Sequence, residues 1–389
     1  MPVPDLRDAL SPVEGEDRPP ETRAVEPGPA LALSGGGYRA MLFHAGALIR
    51  LNEARLLGAM KRISCVSGGS ITGGVLGLRW GALHFQNGSA TNLLEQVIAP
   101  VRRLANRTID RNAIVGGLLL PGDIWERVRD AYRETLFGEA TLQDLPAGEP
   151  RIVLNATNVQ SGALWRFMRP YMRDWKVGEY KNPDVLLASA VAASSAFPPV
   201  LSPVRLKLKA ERFTPGSWEA EFADPGFREE VVLSDGGVYD NLGLETVWKR
   251  YEQIFVSDGG GRLGPELEPH SDWARHALRV NGLIDSQVRA LRKRQVVGSL
   301  EAGIKTGAYW SIHLDPEDAD WSPHFGPAFR RDRARELAET PTRLARLDAP
   351  YQERLINWGY SVANASLARF WKSPAPLPAA ALPFPAAGI

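Results

Sequence analysis

The sequence has one cysteine, no excess of charge of either sign and no long uninterrupted hydrophobic run, and each absence excludes a class of protein. Because Cys65 is the single cysteine, the sequence cannot form an internal disulfide framework or a zinc site built from several cysteines. Lysine and arginine total 46 and aspartate and glutamate 45, so nothing favours bulk nucleic-acid binding. The most apolar stretch, residues 184–204, is too rich in serine and proline for a membrane span.

Both ends of the chain have compositions that do not favour a packed core. Residues 1–28 are rich in proline and charged residues, and acids and prolines stand where a secretory signal would need a basic start and an apolar run. Residues 373–389 are rich in proline and alanine. We therefore predict a flexible leader and a tail, and a cytoplasmic protein that meets membranes at most peripherally.

Between the two ends, short apolar runs alternate with stretches of helical periodicity, which is typical of parallel βαβ units with helices on both faces of the sheet. One main α/β domain is predicted over residues 29–315, with an inserted helical cap at 84–150, and a helical extension over 316–372. The fold class expected is α/β, with three α/β/α layers and a mostly parallel central sheet. The predicted strands lie at 30–33, 62–66, 151–156, 231–234 and 252–257.

The first motif is the run Ser-Gly-Gly-Gly-Tyr-Arg-Ala at 34–40, between a predicted strand and a helix. Gly35, Gly36 and Gly37 let the backbone approach a ligand closely, and the helix start behind them offers free amides to an anion. The alternative is a tight turn whose glycines serve the backbone geometry alone. A dinucleotide fingerprint matches formally, but the second strand ends in Ser67 where that fold wants an acid.

The second motif is Cys-Val-Ser-Gly-Gly at 65–69, which places Ser67 on a sharp turn between a strand and a helix. A nucleophile elbow has small residues two positions before and two after the serine. Gly69 fits that pattern, and Cys65 replaces the first glycine. Ser67 could equally serve as an ordinary helix cap, and Cys65 is expected to be a buried packing residue.

The third motif, Asp-Gly-Gly-Val-Tyr-Asp-Asn at 235–241, puts a carboxylate at the end of an apolar strand. Asp258, in a second Asp-Gly-Gly sequence, competes for the same role. We favour Asp235, because the loop after it is longer and contains Asn241, whose side chain can order the turn. Asp258 is then a structural turn residue.

Together these motifs resemble those of the patatin-like phospholipase family, supported by the blocks at 155–162 and 188–199. The resemblance spans about residues 28–260 and implies a Ser-Asp dyad on a three-layer α/β/α fold, without a catalytic histidine or a cofactor. It makes Ser67 the nucleophile and Asp235 the general base. The amides around Gly35, Gly36 and Gly37 would form the oxyanion hole, and Arg39 would bind the lipid phosphate.

The function expected is hydrolysis of carboxylic esters in phospholipids or lysophospholipids, with no metal required. One alternative is a Ser-His-Asp esterase that uses a histidine after Asp235, and the other is a catalytically silent lipid- or anion-binding module. The oligomeric state is not predicted. Peripheral membrane contact is expected through apolar residues of the cap. The equal alternative is that these residues are buried against the body of the protein and do not contact a membrane. The histidines are His270, His276, His313 and His324, and the cap residues are Ile114, Val115, Leu118, Leu119 and Leu120.

Overall fold

A mixed sheet forms the centre of the fold in the computed structural model, which describes residues 25–110, 123–214, 224–325, 329–372 and 376–389. Within those ranges the sheet has eleven strands, and a separate two-stranded hairpin (β3, β4) lies in the cap. In chain order the strands are β1 (Ala30–Leu33), β2 (Arg62–Val66), β3 (Phe85–Gln86), β4 (Ser89–Ala90), β5 (Arg151–Asn158), β6 (Ala163–Phe167), β7 (Tyr171–Asp174), β8 (Gly178–Lys181), β9 (Val204–Lys207), β10 (Phe213–Thr214), β11 (Glu230–Asp235), β12 (Gln253–Asp258) and β13 (Thr306–Ser311).

Helices lie against this sheet and extend to the C-terminal region. In chain order the α-helices of the described residues are α1 (Gly37–Glu53), α2 (Gly68–Arg79), α3 (Ala99–Ala105), α4 (Ile124–Tyr132), α5 (Leu187–Ser194), α6 (Gly226–Glu229), α7 (Gly237–Asp240), α8 (Trp273–Glu301), α9 (Arg331–Ala338) and α10 (Ala349–Phe370). The three-layer α/β/α fold with a mostly parallel central sheet is as predicted.

The parallel part of the sheet has the order β5, β2, β1, β12, β13. Its strands are apolar and almost wholly buried, as expected when helices cover both faces. Beyond β5 the sheet continues through β6, β7, β8 and β10 as antiparallel strands, which the sequence analysis did not foresee.

The direction of β11 was predicted wrongly. We expected its apolar run to be another parallel strand, but it pairs antiparallel with both β5 and β9. A short apolar run looks the same in either direction, so only its neighbours in the sheet decide its orientation.

The C-terminal region belongs to the main hydrophobic core. Helix α10 crosses α1 at very close range, and the absence of side chains at Gly46 and Gly359 allows this approach. A side chain at either position would overlap the backbone of the opposite helix. Leu355 and Trp358 of α10 are fully buried in the same core cluster as the residues of α1. The helical extension is present as predicted, yet it is not a separate unit.

The predicted tail is packed, and this corrects the expectation for residues 373–389 over the described part, 376–389. Asn357 of α10 donates hydrogen bonds to the carbonyl oxygens of Phe384 (2.8 Å) and Gly388 (2.7 Å). The Arg102 guanidinium lies over the Phe384 ring, 4.6 Å from its centroid. A few apolar side chains and buried polar partners are enough to hold a segment whose composition suggests a loose tail.

Within the predicted cap, helical periodicity at 93–104 and 124–136 predicts two helices, and the structure has α3 and α4 there with short π turns beside them. Their apolar faces, including Val101, Leu104 and Val128, are buried in the main core. The five apolar residues expected to contact a membrane, Ile114, Val115, Leu118, Leu119 and Leu120, lie outside the described residues.

Candidate active site

Two strand ends meet beside β5, and this meeting creates the candidate active site. Strand β2 runs parallel to β5 and ends with Val66 opposite Asn155. Strand β11 runs in the opposite direction along the continuation of the same edge and ends with Asp235 opposite Ala156. The residue after β2 is Ser67, so the antiparallel direction of β11 brings the predicted nucleophile and base together.

Ser67 has the backbone conformation of a nucleophile elbow. Its φ of 52° and ψ of −118° are rare for a residue with a side chain, and such strain concentrates at functional sites. The turn is tight enough that a side chain on Gly68 would overlap the carbonyl oxygen of Gly37, and one on Gly69 that of Leu33. The elbow predicted from the Ser-Gly-Gly sequence is therefore formed.

Ser194, at the end of α5, holds the elbow from behind. Its Oγ accepts a hydrogen bond from the Ser67 amide (3.0 Å) and donates one to the carbonyl oxygen of Asn155 (2.6 Å). Ser70 also contacts this hydroxyl, at 2.7 Å. Ser194 lies in the block at 188–199, but no local pattern predicts its role, because its partners are distant in sequence.

The Asp235 carboxylate is buried and only partly hydrogen-bonded. Its Oδ1 accepts the Gly237 amide at 2.7 Å, whereas Oδ2 has no partner at normal hydrogen-bond length among the described residues. Burial raises the pKa of Asp235 to about 7; the Gly237 amide and the Ser67 hydroxyl act against that rise, and the charge of Asp285 adds to it. A carboxylate with this pKa can exchange a proton with a neighbouring hydroxyl near neutral pH.

The glycine loop lies directly against the elbow. The Gly35 amide donates to the carbonyl oxygen of Asn241 at 3.0 Å, so it joins the glycine loop to the loop after Asp235 and is not free to bind an oxyanion. Gly36 (φ 144°) and Gly37 (φ 60°) have conformations that favour glycine, and neither amide has a partner among the described residues. Both amides lie at the start of α1, where the helix dipole favours negative charge.

Arg39 points into the protein's own backbone. Its Nε donates to the carbonyl oxygen of Gly259 (3.1 Å), one terminal nitrogen donates to that of Thr340, and the other to Thr342 Oγ1 (2.8 Å). The side chain is buried. These contacts join α1 to the loop after β12 and to the segment before α10, and they give no support to the predicted phosphate contact.

Asp258, the competing carboxylate, has a complete set of partners. It accepts the Tyr309 hydroxyl (2.8 Å) and the Gly260 amide (3.1 Å), and Arg289 lies at 3.4 Å. Burial acts to raise its pKa, but Arg289, Tyr309 and Lys293 outweigh burial and hold the pKa below the usual range. Asp258 therefore has the partners of an ionised structural residue, whereas Asp235 is the carboxylate suited to accept a proton near neutral pH.

No histidine of the described residues hydrogen-bonds to Ser67 or Asp235. His313 bonds to the Gly260 carbonyl oxygen (3.0 Å), and His276 lies on the exposed part of α8 near His270. His44 is buried between Ser257 and the Ser34 carbonyl oxygen, and burial lowers its pKa to about 4. The described residues also contain no group of three or more metal-binding side chains.

The comparison with solved structures returns distant similarities. Human GIVD cytosolic phospholipase A2 matches at 11% identity and a TM-score of 0.45, covering 90% of this chain and 63% of the human chain. Its complex with methyl gamma-linolenyl fluorophosphonate gives 15% identity, a TM-score of 0.47 and coverages of 88% and 58%. VipD from Legionella pneumophila matches at 14% identity and a TM-score of 0.37, covering 89% of this chain and 67% of the VipD chain. The chain thus spans about three-fifths of the human phospholipase.

The comparison with protein families is more specific. No curated protein matches the sequence. The family model for patatin-like phospholipases matches residues 31–248, more than half of the chain. That range contains the glycine loop, the elbow and the Asp235 loop. The chain belongs to the patatin-like phospholipase family.

Proposed function

We propose that this protein is a lipid acyl hydrolase that cleaves carboxylic esters of phospholipids or lysophospholipids through a Ser67-Asp235 dyad. The observation that carries the proposal is the meeting of β2 and β11 along β5, which places a strained serine beside a buried carboxylate with a pKa of about 7. Family membership supports the lipid substrate class. The phospholipase named among the solved structures matches too weakly to add an argument.

In the first step the Ser67 hydroxyl attacks the ester carbonyl carbon and its proton passes to Oδ2 of Asp235, the oxygen without a partner of normal length. The carbonyl oxygen becomes an oxyanion, for which the amides of Gly36 and Gly37 are the available donors. Donors of this kind are commonly worth about 3–4 kcal/mol each in the transition state.

Collapse of the tetrahedral intermediate breaks the ester C–O bond. The leaving alkoxide takes the proton from Asp235 and departs as the alcohol, which leaves an acyl group on Ser67. Water then attacks the acyl carbonyl while the ionised Asp235 accepts its proton, and the fatty acid leaves as Ser67 recovers its hydrogen. Asp235 acts as base and acid in turn, which a pKa near neutrality allows.

The first experiment compares wild type, Ser67→Ala and Asp235→Asn for labelling by a fluorophosphonate and for release of fatty acid from phospholipid and lysophospholipid. We expect wild type to be labelled and active and both variants to lose at least about 1,000-fold in turnover, because members of one catalytic unit fail together. Melting temperatures measured alongside should show that both variants are folded.

Asp258→Asn is the matched carboxylate control, since it changes the other Asp-Gly-Gly loop. It should keep fluorophosphonate labelling and hydrolysis at temperatures where it stays folded. If Asp258→Asn is inactive and Asp235→Asn turns over normally, the assignment of the base is wrong. Folded wild type that takes no label and releases no fatty acid would instead indicate a silent binding module.

A further inference from the structure

Helix α8 carries an apolar stripe that nothing in the described residues covers. From Trp273 to Leu291 this helix has no buried residue. The exposed fractions are 85% for Trp273, 58% for Ile284 and 58% for Leu291, and Val280 and Val288 are also exposed. Contiguous apolar surface of this kind marks an interaction site in a folded protein.

Five of the seven large apolar residues exposed on α8 lie on one side of the helix, and Leu278 and Leu283 lie outside this sector. At 3.6 residues per turn, positions 273, 280, 284, 288 and 291 fall within a sector of about 80°. The stripe is defined by these residues: Trp273, Val280, Ile284, Val288 and Leu291.

The opposite side of α8 is the one that packs against the protein. Arg279 donates to the Gly264 carbonyl oxygen at 2.8 Å, and Arg289 bonds to the carbonyl oxygen of Gly261 and pairs with Asp258. Gly282 faces Leu263. Because one side is held by the loop after β12, the stripe is turned outward by the fold.

The same helix borders the candidate active site. Asp285 is close enough for its charge to raise the pKa of Asp235. Arg289 also fixes the loop at 258–261, whose Gly259 carbonyl oxygen lies against Gly36. The packed side of α8 therefore lies close to the candidate active site, and the stripe lies on the outer side of the same helix.

The charges of α8 suit an anionic surface. Between Trp273 and Glu301 there are six lysines and arginines and two acids, on a chain whose net charge is +1. Arg275, Arg279, Arg289 and Arg292 are already paired with acids, whereas Arg294 is exposed and has no ion pair among the described residues. Apolar contact should therefore supply most of the affinity, and charge should adjust it.

We propose that the stripe on α8 is the surface by which this protein docks onto an anionic lipid bilayer, with Trp273 at the headgroup level. The inference rests on the proposed function only in one respect, namely the lipid ester that the docked enzyme would cleave. Docking itself needs no catalysis, so it is measured in the Ser67→Ala protein, which cannot alter the vesicles.

The test is flotation of full-length Ser67→Ala protein with vesicles of phosphatidylcholine containing 30% phosphatidylserine. Adding Trp273→Gln, Ile284→Gln and Leu291→Gln should weaken binding by at least about tenfold. The matched control carries Val25→Gln, Leu94→Gln and Val159→Gln, which are exposed apolar residues outside α8 and should leave binding unchanged. Equal binding by both triple variants would overturn the proposal.

A second measurement places a fluorophore on the stripe. Because Cys65 is fully buried, a thiol-reactive environment-sensitive dye can be directed to Ile284→Cys or, on the packed side of the helix, to Ser286→Cys. Vesicles should shift the emission of the dye at 284 to the blue and leave that at 286 unchanged.

Two further results would overturn the lipid as occupant. One is a blue emission at 284 before vesicles are added, which would mean that another segment of the chain covers the stripe. The other is a wild-type dimer that the stripe variant converts to monomer. Loss of vesicle binding with intact hydrolysis of a water-soluble ester, measured in otherwise wild-type protein, separates failure of docking from failure of the proposed function.

Discussion

Cys65 lies in the space that a side chain on Gly73 would occupy. A Cβ atom built on Gly73, in α2, would overlap the Cys65 sulfur and would lie 3.3 Å from its Cβ. The nucleophile-elbow pattern has glycine where this chain has Cys65, and the absence of a side chain on Gly73 leaves room for the cysteine sulfur. This contact explains how the elbow tolerates cysteine, and burial raises the pKa of the Cys65 thiol, which keeps it unreactive.

The first prediction concerns this contact. Gly73→Ala should lower the free energy of unfolding by about 1–3 kcal/mol, because the added methyl group overpacks a fully buried site. Cys65→Ala in the same chain should restore much of that loss, since only the tolerable 3.3 Å contact remains. Denaturant unfolding of the four members of the double-mutant cycle measures the coupling. Additive effects would show that Gly73 does not accommodate Cys65.

The second prediction concerns the pH dependence of hydrolysis. Asp235 must be ionised to accept the Ser67 proton, so kcat/KM for a water-soluble ester should rise with pH and level off above about 7. The half-exposed Asp285→Asn should move the inflection to lower pH, because its charge raises the pKa of Asp235. A flat profile from pH 5 to 9 would contradict a base with this pKa.

The third prediction concerns stability, and its sign follows from linkage. In the unfolded chain Asp235 titrates near its ordinary pKa of about 3.9, whereas in the folded protein the pKa is about 7. The folded state therefore loses stability as pH rises between these values. Asp235→Asn removes the ionisation and should raise the melting temperature at pH 8 but not at pH 4, by a free energy of at most about 4 kcal/mol.

Asp258→Asn is the control, and it should change the melting temperature in the opposite direction. The pKa of Asp258 is held below the usual range, so its ionised form stabilises the fold above the unfolded pKa. Asp258→Asn should therefore lower the melting temperature, and the loss should be larger at pH 7 than at pH 3. Thermal unfolding of both variants over that range is the measurement, and identical pH profiles would refute the contrast.

The fourth prediction concerns Arg39. Arg39→Ala leaves buried carbonyl oxygens on Gly259 and Thr340 without a donor, which should lower the free energy of unfolding by about 2–4 kcal/mol. Turnover of phospholipid and of a short nitrophenyl ester should then fall alike. A loss confined to the phospholipid, with an unchanged melting temperature, would restore the phosphate contact expected from the resemblance.

The amino-acid sequence by itself was enough to locate the glycine loop and the strand-to-helix turn that contains Ser67. Gly36 and Gly37 adopt conformations that favour glycine, and Ser67 follows directly on an apolar strand, so turn and helix start are properties of a few neighbouring residues. Burial of the parallel strands likewise follows from their apolar runs. Such features are short in range, and that is why reading the chain in order finds them.

The sequence favoured Asp235 over Asp258 only through its longer loop and Asn241, whereas the difference in the surroundings of the two carboxylates is visible only in the tertiary structure. Asp235 and Asp258 both end a strand and precede two glycines. They differ in that Arg289 pairs with Asp258 and Tyr309 donates a hydrogen bond to it, whereas Asp235 keeps a buried oxygen without a partner of normal length. Those partners come from elements distant in sequence, so local pattern contains no record of them.

Tertiary structure also decided the direction of β11, the use of the Gly35 amide by Asn241 and the packing of the last residues onto α10. Strand direction depends on which edge of β5 is left open where β2 ends. An amide is available to an oxyanion only if it does not already donate to a carbonyl oxygen of the protein. A segment rich in proline and alanine is ordered when a partner such as Asn357 forms hydrogen bonds with its backbone. Each outcome depends on contacts between residues far apart in the chain, and local sequence patterns do not predict which distant residues meet.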